Sequence, residues 1–230
     1  MTGGNLVSDR PDPSAESARA GMTGSGRVEA FSDGVFAIAI TLLILDVAVP
    51  PRDSTPSGGL AEALGHQWPS YFAYLVSFLV IGIIWVNHHT VFVNVRRVDR
   101  VVLFTNLALL LTVSAIPFPT HLLAEYLTAG TDSHIAAAIY SATMLAMGTA
   151  YSLLWLSITR DARLLHEKAD RAATRAALRR FGLGNIIYVG TIGLSFVNAI
   201  AALTVHALVA IYYCFDQLTA ARPPATPPRD

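Results

Sequence analysis

The feature that most constrains this chain is a series of long apolar segments almost free of charge, with the charged residues collected in the gaps between them. A helix needs about 20 predominantly apolar residues to cross the hydrocarbon core of a bilayer. A soluble protein built from so many such segments would have no polar face to offer water. Charged residues make up 14% of the chain and hydrophobic residues 53%, whereas soluble domains carry roughly 25% charged residues. The fold class expected is therefore an all-α integral membrane protein.

Residues 1–26 are rich in Gly, Ser, Pro, Asp and Arg and read as a disordered tail, without the apolar core of a cleavable signal peptide. Residues 220–230 read as a second, Pro-rich tail. Between them, residues 27–219 divide into six expected transmembrane helices. The first covers about 28–49 and ends at Pro50-Pro51; the second covers 69–95, opened by Trp68 and Tyr71 at the level of the interface. The third covers 101–123 and contains Pro117 and Pro119, which remove backbone donors and predict a kink near its end. The fourth covers 135–158, and the fifth and sixth share 181–217 with a break near Asn198. The basic stretch 161–180 reads as a solvated extension of its neighbours.

Basic residues orient the chain. Arg96, Arg97 and Arg100 lie between spans two and three, and a longer set from Arg160 to Arg180 lies between spans four and five. Arg10, Arg19, Arg27, Arg222 and Arg229 flank the ends, and Arg52 alone falls in a loop on the other side. Cytoplasmic loops carry the excess of Lys and Arg, which places both termini and the two basic loops in the cytoplasm. The 16 Lys and Arg balance 16 Asp and Glu, so net charge singles out no charged partner. The bilayer is the expected partner, and nucleic acid is not. The single cysteine, Cys214, excludes an internal disulfide and any cysteine-based metal cluster.

Ionisable groups within spans are costly, and each is a functional or structural hypothesis. At about 100° per residue, Ile38, Thr41 and Leu45 form a narrow stripe on the first helix, with Leu42 on its flank. Asp33 points roughly 140° away from Ile38. If the stripe faces an ion pathway, Asp33 faces the surrounding helices, where it could pair with Arg27 or accept a hydrogen bond from His88 or His89. Trp85 with His88 or His89 forms one polar and aromatic face against the first span. Adjacent histidines diverge by about 100°, so His88 and His89 do not easily share one metal ion with His121. The spacing of zinc hydrolases is also missing, and no metal or cofactor is expected. Asp46 has two readings: a charge that concentrates cations at an outer mouth, or an ordinary charge at a helix end. His206 has no evident partner in the sequence.

The segment Arg27-x-x-x-Phe31-Ser32-Asp33, followed by Gly-Val-Phe-Ala-Ile-Ala-Ile-Thr-Leu-Leu, resembles the first helix of the lysosomal potassium channel family, the transmembrane protein 175 family. The likeness is to its prokaryotic branch. Trp85-x-x-His88-His89 and Pro117-Phe118-Pro119-Thr120 are similar to that family's second- and third-helix signatures. The resemblance implies a potassium-selective channel in a bacterial plasma membrane. It further implies a homotetramer of six-span subunits with the first helices around a central axis and potassium ions as the permeant partner. It places the pore constriction at Ile38, with Thr41 and Leu45 as further layers. It assigns Arg27, Phe31, Ser32, Asp33, Trp85, His88 and His89 to a network that positions the first helix. Nothing like the Thr-Val-Gly-Tyr-Gly carbonyl filter is present, so selection would depend on the width and dewetting of an apolar ring.

The competing expectation is a proton- or cation-coupled secondary transporter with Asp33 and His88 or His89 as a relay, although no inverted repeat is evident. An intramembrane enzyme is disfavoured, because no nucleophile–base spacing is found.

Overall fold

Among the described residues every named element is a helix, as the hydropathy pattern leads one to expect. The computed structural model describes residues 13–51, 59–161, 164–165 and 171–220, with side chains for 24–45, 47–51, 59–161, 164–165 and 182–215. In order the helices are α1 (Pro13–Leu42), a 3-10 turn (Leu43–Asp46), α2 (Gly59–His66), α3 (Trp68–Phe92), α4 (Arg100–Ala115), α5 (Pro117–Tyr126), α6 (Thr131–Thr159), α7 (Arg171–Ser195) and α8 (Ala199–Ala220).

Among the described residues four stretches are long and apolar enough to cross a membrane: Gly24–Leu45, Trp68–Phe92, Arg100–Tyr126 and Thr131–Thr159. The apolar parts of α7 and α8, Gly182–Ser195 and Ala199–Phe215, are shorter. At 1.5 Å per residue the first of these reaches only about 20 Å, less than a typical hydrocarbon core of about 30 Å.

Several boundaries differ from the hydropathy reading. Helix α1 starts at Pro13, inside the segment expected to be a tail. Its first turns are Pro-Ser-Ala-Glu-Ser-Ala-Arg-Ala; proline suits a first helical position, and alanine, glutamate and arginine are good helix formers. The α-helical geometry ends at Leu42 and tightens into the 3-10 turn before Pro50. Helix α2 was not foreseen, because its eight residues are too few to span a bilayer and fall in the loop after the first span.

The proline pair breaks the third span. Pro117 cannot donate to the Val113 carbonyl, and the Ile116 N–H takes that acceptor instead at 3.1 Å, closing α4. Thr120 then donates both its backbone N–H, at 3.1 Å, and its hydroxyl, at 2.8 Å, to the Ile116 carbonyl. That hydroxyl also meets Ser77 at 2.8 Å, and Ser77 meets Tyr140 at 3.0 Å, so the kink is tied to α3 and α6. Asn198 marks the expected break between α7 and α8. Its side chain accepts from the Ala201 N–H at 2.9 Å, acting as the cap of α8.

Helix α1 lies against α3 and α4, while α6 packs against α4 and α7. The buried core runs through all these contacts and includes Phe36, Ile81, Leu109, Tyr140, Met144 and Leu203. Many large apolar side chains remain exposed, among them Phe104, Leu111, Ile186, Phe196 and Leu208. Exposed apolar area on this scale suits a surface solvated by lipid rather than water.

Candidate functional site

Helix α1 has two unlike faces. Ser32, Phe36, Ala39 and Leu43, spaced four, three and four residues apart, are all at most 2% exposed. They form one stripe against the bundle. On the opposite side Ile38 is 62% exposed and Leu45 73%. Thr41, Leu42 and Phe31 are exposed as well. Asp46 falls in the 3-10 turn, but its side chain lies outside the described residues. The Thr41 hydroxyl donates to its own helix, to the carbonyls of Ala37 at 2.8 Å and Ile38 at 2.9 Å. A hydroxyl has one proton and two lone pairs, so the oxygen it presents outward acts as an acceptor.

The buried face is held by a chain of side-chain hydrogen bonds through three helices. On α3, His88 Nε2 bonds the Asn106 Oδ1 of α4 at 2.9 Å. The Asn106 amide donates to Ser32 Oγ of α1 at 3.0 Å. Ser32 in turn donates to the Val28 carbonyl at 2.8 Å. His88, Asn106 and Ser32 are at most 2% exposed. An unpaired buried polar group is expensive, so each member of the chain fixes the next. Aromatic rings close the chain off: His88 stacks on Phe92 at 4.3 Å and meets Phe36 at 5.4 Å.

Two further bonds join α1 to α3 along the flank. Trp85 Nε1 donates to the Asp33 carboxylate at 2.9 Å. His89 Nδ1 lies 2.8 Å from Glu29 Oε1. The Trp85 and His89 rings stack at 6.2 Å, four residues apart on one helix face. Asp33 therefore faces the neighbouring helix, and its donor is the indole rather than either histidine.

Ser32, Asp33, Trp85, His88 and His89 are thus brought together, but in three separate bonded groups. Arg27 and Phe31 are exposed and take no part in these bonds. Asn106 and Glu29 do take part and escaped the sequence reading. Asn106 carried a usable signal, being the one amide within the apolar run from Val101 to Leu111. His206, unassigned from sequence, bonds Ser141 at 2.9 Å and stacks on Tyr188 at 5.3 Å. Among the described residues no group of three His, Cys, Asp or Glu side chains is placed to hold a metal ion.

Outside the spans, Asp99 caps α4 by accepting from the Val102 N–H at 2.9 Å and pairs with Arg160 beyond α6. The Val102 N–H, followed by Arg160, holds the Asp99 carboxyl below the usual aspartate range. This contact fastens the α3–α4 connection to the end of α6. Beside it, Val95 bridges to Leu165 through backbone bonds.

A bundle of long apolar helices, with the first tied down on one face by buried polar bonds and bare on the other, defines an α-helical membrane protein. The sequence profile of the endosomal/lysosomal potassium channel TMEM175 family matches residues 27–117, the stretch that carries α1, α3, α4 and nearly all of these bonds. A potassium channel of Streptomyces collinus is 57% identical over 197 residues, covering 86% of this chain and 95% of its relative. A potassium channel of Chamaesiphon minutus is 42% identical over 189 residues, covering 82% of this chain and 93% of that one. The crystal structure of a lysosomal potassium-selective channel TMEM175 homolog from Chamaesiphon minutus superposes with a TM-score of 0.75. It shares 38% sequence identity and covers 84% of this chain and 97% of the other. The chain belongs to the TMEM175 family.

Proposed function

We propose that this protein is a potassium-selective channel, conducting passively through a pore lined by α1 at the axis of a homotetramer. The observation that carries this reading is the two-faced character of α1. Its bare face bears Ile38, Thr41 and Leu45, while its other face is locked to α3 and α4. A helix that merely met lipid would not require so many buried polar ties in register along its opposite side. The names of the Streptomyces and Chamaesiphon relatives, both potassium channels, support the choice of ion.

In this reading Ile38 forms the narrowest ring, Leu45 a second apolar ring and Leu42 their flank. Between the rings Thr41 offers an oxygen whose proton is already engaged, a suitable acceptor for a partly dehydrated cation. Apolar side chains cannot replace a hydration shell, so conduction is controlled by the width and wetting of the Ile38 ring. Asp46 stands near the end of the stripe and would draw cations toward an outer mouth. Six crossings arise from the four long spans together with α7 and α8, with both termini cytoplasmic in a bacterial plasma membrane. No cofactor is needed, since the ion moves down its own gradient.

The transporter reading requires Asp33 and the histidines to exchange a proton along one chain. They are bonded instead to Trp85, Asn106 and Glu29 separately, which favours anchoring. Purified protein in potassium-loaded liposomes tests the proposal. Release of potassium without a co-substrate, several-fold faster than sodium release from matched vesicles, supports a channel. Flux that saturates and depends on a proton gradient supports the transporter.

A further inference from the structure

A cavity of about 40 Å³ lies between α3, α6, α7 and α8, and neither the anchoring bonds nor the pore stripe uses it. No residue of α1 lines it, so it lies apart from the face that the proposed tetramer turns to its axis and to neighbouring subunits. Its polarity is graded. Gly148 lies against Asn185 and Gly184 against Tyr213, which puts Asn185 and Tyr213 at one level of the bundle. Asn87 joins them from α3. Val80, Met147 and Ala210 form the other end; Val80 stands about 10 Å before Asn87 on its helix, and Ala210 about one turn before Tyr213.

The polar end carries a spare acceptor. The Ser152 hydroxyl donates to the Gly148 carbonyl at 2.8 Å, so it can only accept from Asn185, whose amide nitrogen lies 3.4 Å away. That turns the amide oxygen of Asn185 away from Ser152, and this Oδ1 is buried without a hydrogen-bond partner. No Asp, Glu, Lys, Arg or His lines the cavity, so a charged ligand would lose its hydration uncompensated.

We propose that the cavity binds a short-chain primary alcohol, its hydroxyl donating to Asn185 Oδ1 and its alkyl chain lying against Val80, Met147 and Ala210. The volume is roughly three times what one water requires. Water is the poorer occupant, since it needs about two to four polar partners and the end formed by Val80, Met147 and Ala210 offers none from its side chains. An ether of the same size suits that apolar end but brings no donor to Asn185. The alcohol touches α3 one residue from His88, the link through which α3 holds Asn106. The inference does not depend on the identity of the conducted ion.

The test labels the full purified chain in detergent with 3-azibutanol, a photoreactive primary alcohol, and maps the adducts by mass spectrometry. Tyr151 and Tyr188, which are buried and line the cavity, should be labelled above Tyr212, which is exposed and lies outside it. Butan-1-ol should suppress that labelling about fivefold more effectively than its isomer diethyl ether, the scale of one neutral hydrogen bond. Asn185→Leu keeps an apolar wall and removes the acceptor, and should lower labelling of Tyr188 about fivefold while Tyr212 is unchanged. Ala210→Val keeps Asn185 and narrows the cavity, and should lower it comparably. The competition between the two isomers needs no variant, so it decides the matter even if a variant fails to fold. The proposal is overturned if Tyr151 and Tyr188 are labelled no more than Tyr212, if butan-1-ol protects no better than the ether, or if a folded Asn185→Leu protein is labelled like the parent.

Discussion

The indole N–H of Trp85 donates to the Asp33 carboxylate across the α1–α3 contact at 2.9 Å, turning the charge in the first span away from the face that bears Ile38. A carboxylate in this position could have been a cation site on the pathway. Bonded to Trp85, it orients the helix instead. Trp85→Phe keeps an aromatic, if smaller, ring and removes the donor, and should destabilise the folded protein by about 1.5–3 kcal/mol, the range for hydrogen bonds to charged groups. Thermal unfolding in detergent measures this. In a double-mutant cycle with Asp33→Asn the two losses should be strongly non-additive, and full additivity would show that the bond contributes nothing.

Asn106 is the central link between α3 and α1. Asn106→Leu fits the apolar run of α4 but leaves His88 and Ser32 each without a side-chain partner. Ser32 keeps its bond to the Val28 carbonyl, so the orphaned group is His88, and the expected destabilisation is about 1–3 kcal/mol. Thermal unfolding should show it, together with altered single-channel behaviour as α1 loses its register. The same substitution combined with His88→Phe and Ser32→Ala should recover much of the stability, since the whole polar chain is then replaced.

Gly148 has room for a side chain only if Asn185 shifts. A Cβ there would stand 2.2 Å from Asn185 Oδ1 and 3.5 Å from the Tyr188 ring. Gly148→Ala should therefore destabilise the α6–α7 contact by about 1–3 kcal/mol, as overpacking does. Asn185→Ala removes the nearest obstruction, so the double variant should unfold closer to the parent than Gly148→Ala does.

Asp99 gives the chain a defined response to acid. Its carboxyl is held below the usual aspartate range by the Val102 N–H and then by Arg160. The folded state therefore binds its proton less tightly than the unfolded state. The cap's contribution is complete above the unfolded pKa and disappears as pH falls through the lower folded value. Asp99→Ala should cost about 1 kcal/mol at neutral pH, the usual scale for a lost cap. Asp99→Asn keeps a capping oxygen and should flatten the dependence of unfolding temperature on pH in the acid range below 3.8.

Much of this arrangement was legible in the sequence because helical periodicity is a local signal. The spacing that sets Ile38, Thr41 and Leu45 apart from Asp33 follows from rotation per residue alone, and the exposed and buried faces of α1 follow it. Proline chemistry likewise located the break between α4 and α5. Partners across the bundle were less accessible. Asn106 meets Ser32 from 74 residues away, and no spacing rule connects them. Arg27, His88 and His89 were the partners expected for Asp33, yet packing gave that role to Trp85, 52 residues along the chain. His206 had no visible partner because Ser141 becomes its neighbour only once α6 and α8 pack.

The central claim is that the bare face of α1 selects the ion at Ile38. Planar-bilayer recording with potassium on one side and sodium on the other reads it directly, since a tenfold permeability ratio moves the reversal potential of a monovalent ion by about 59 mV. The parent protein should reverse far toward the potassium equilibrium potential. Ile38→Asn, which wets and widens the ring, should raise conductance and carry the reversal potential toward zero. An Ile38→Asn channel with the parent's reversal potential and conductance would contradict the account and place the constriction elsewhere.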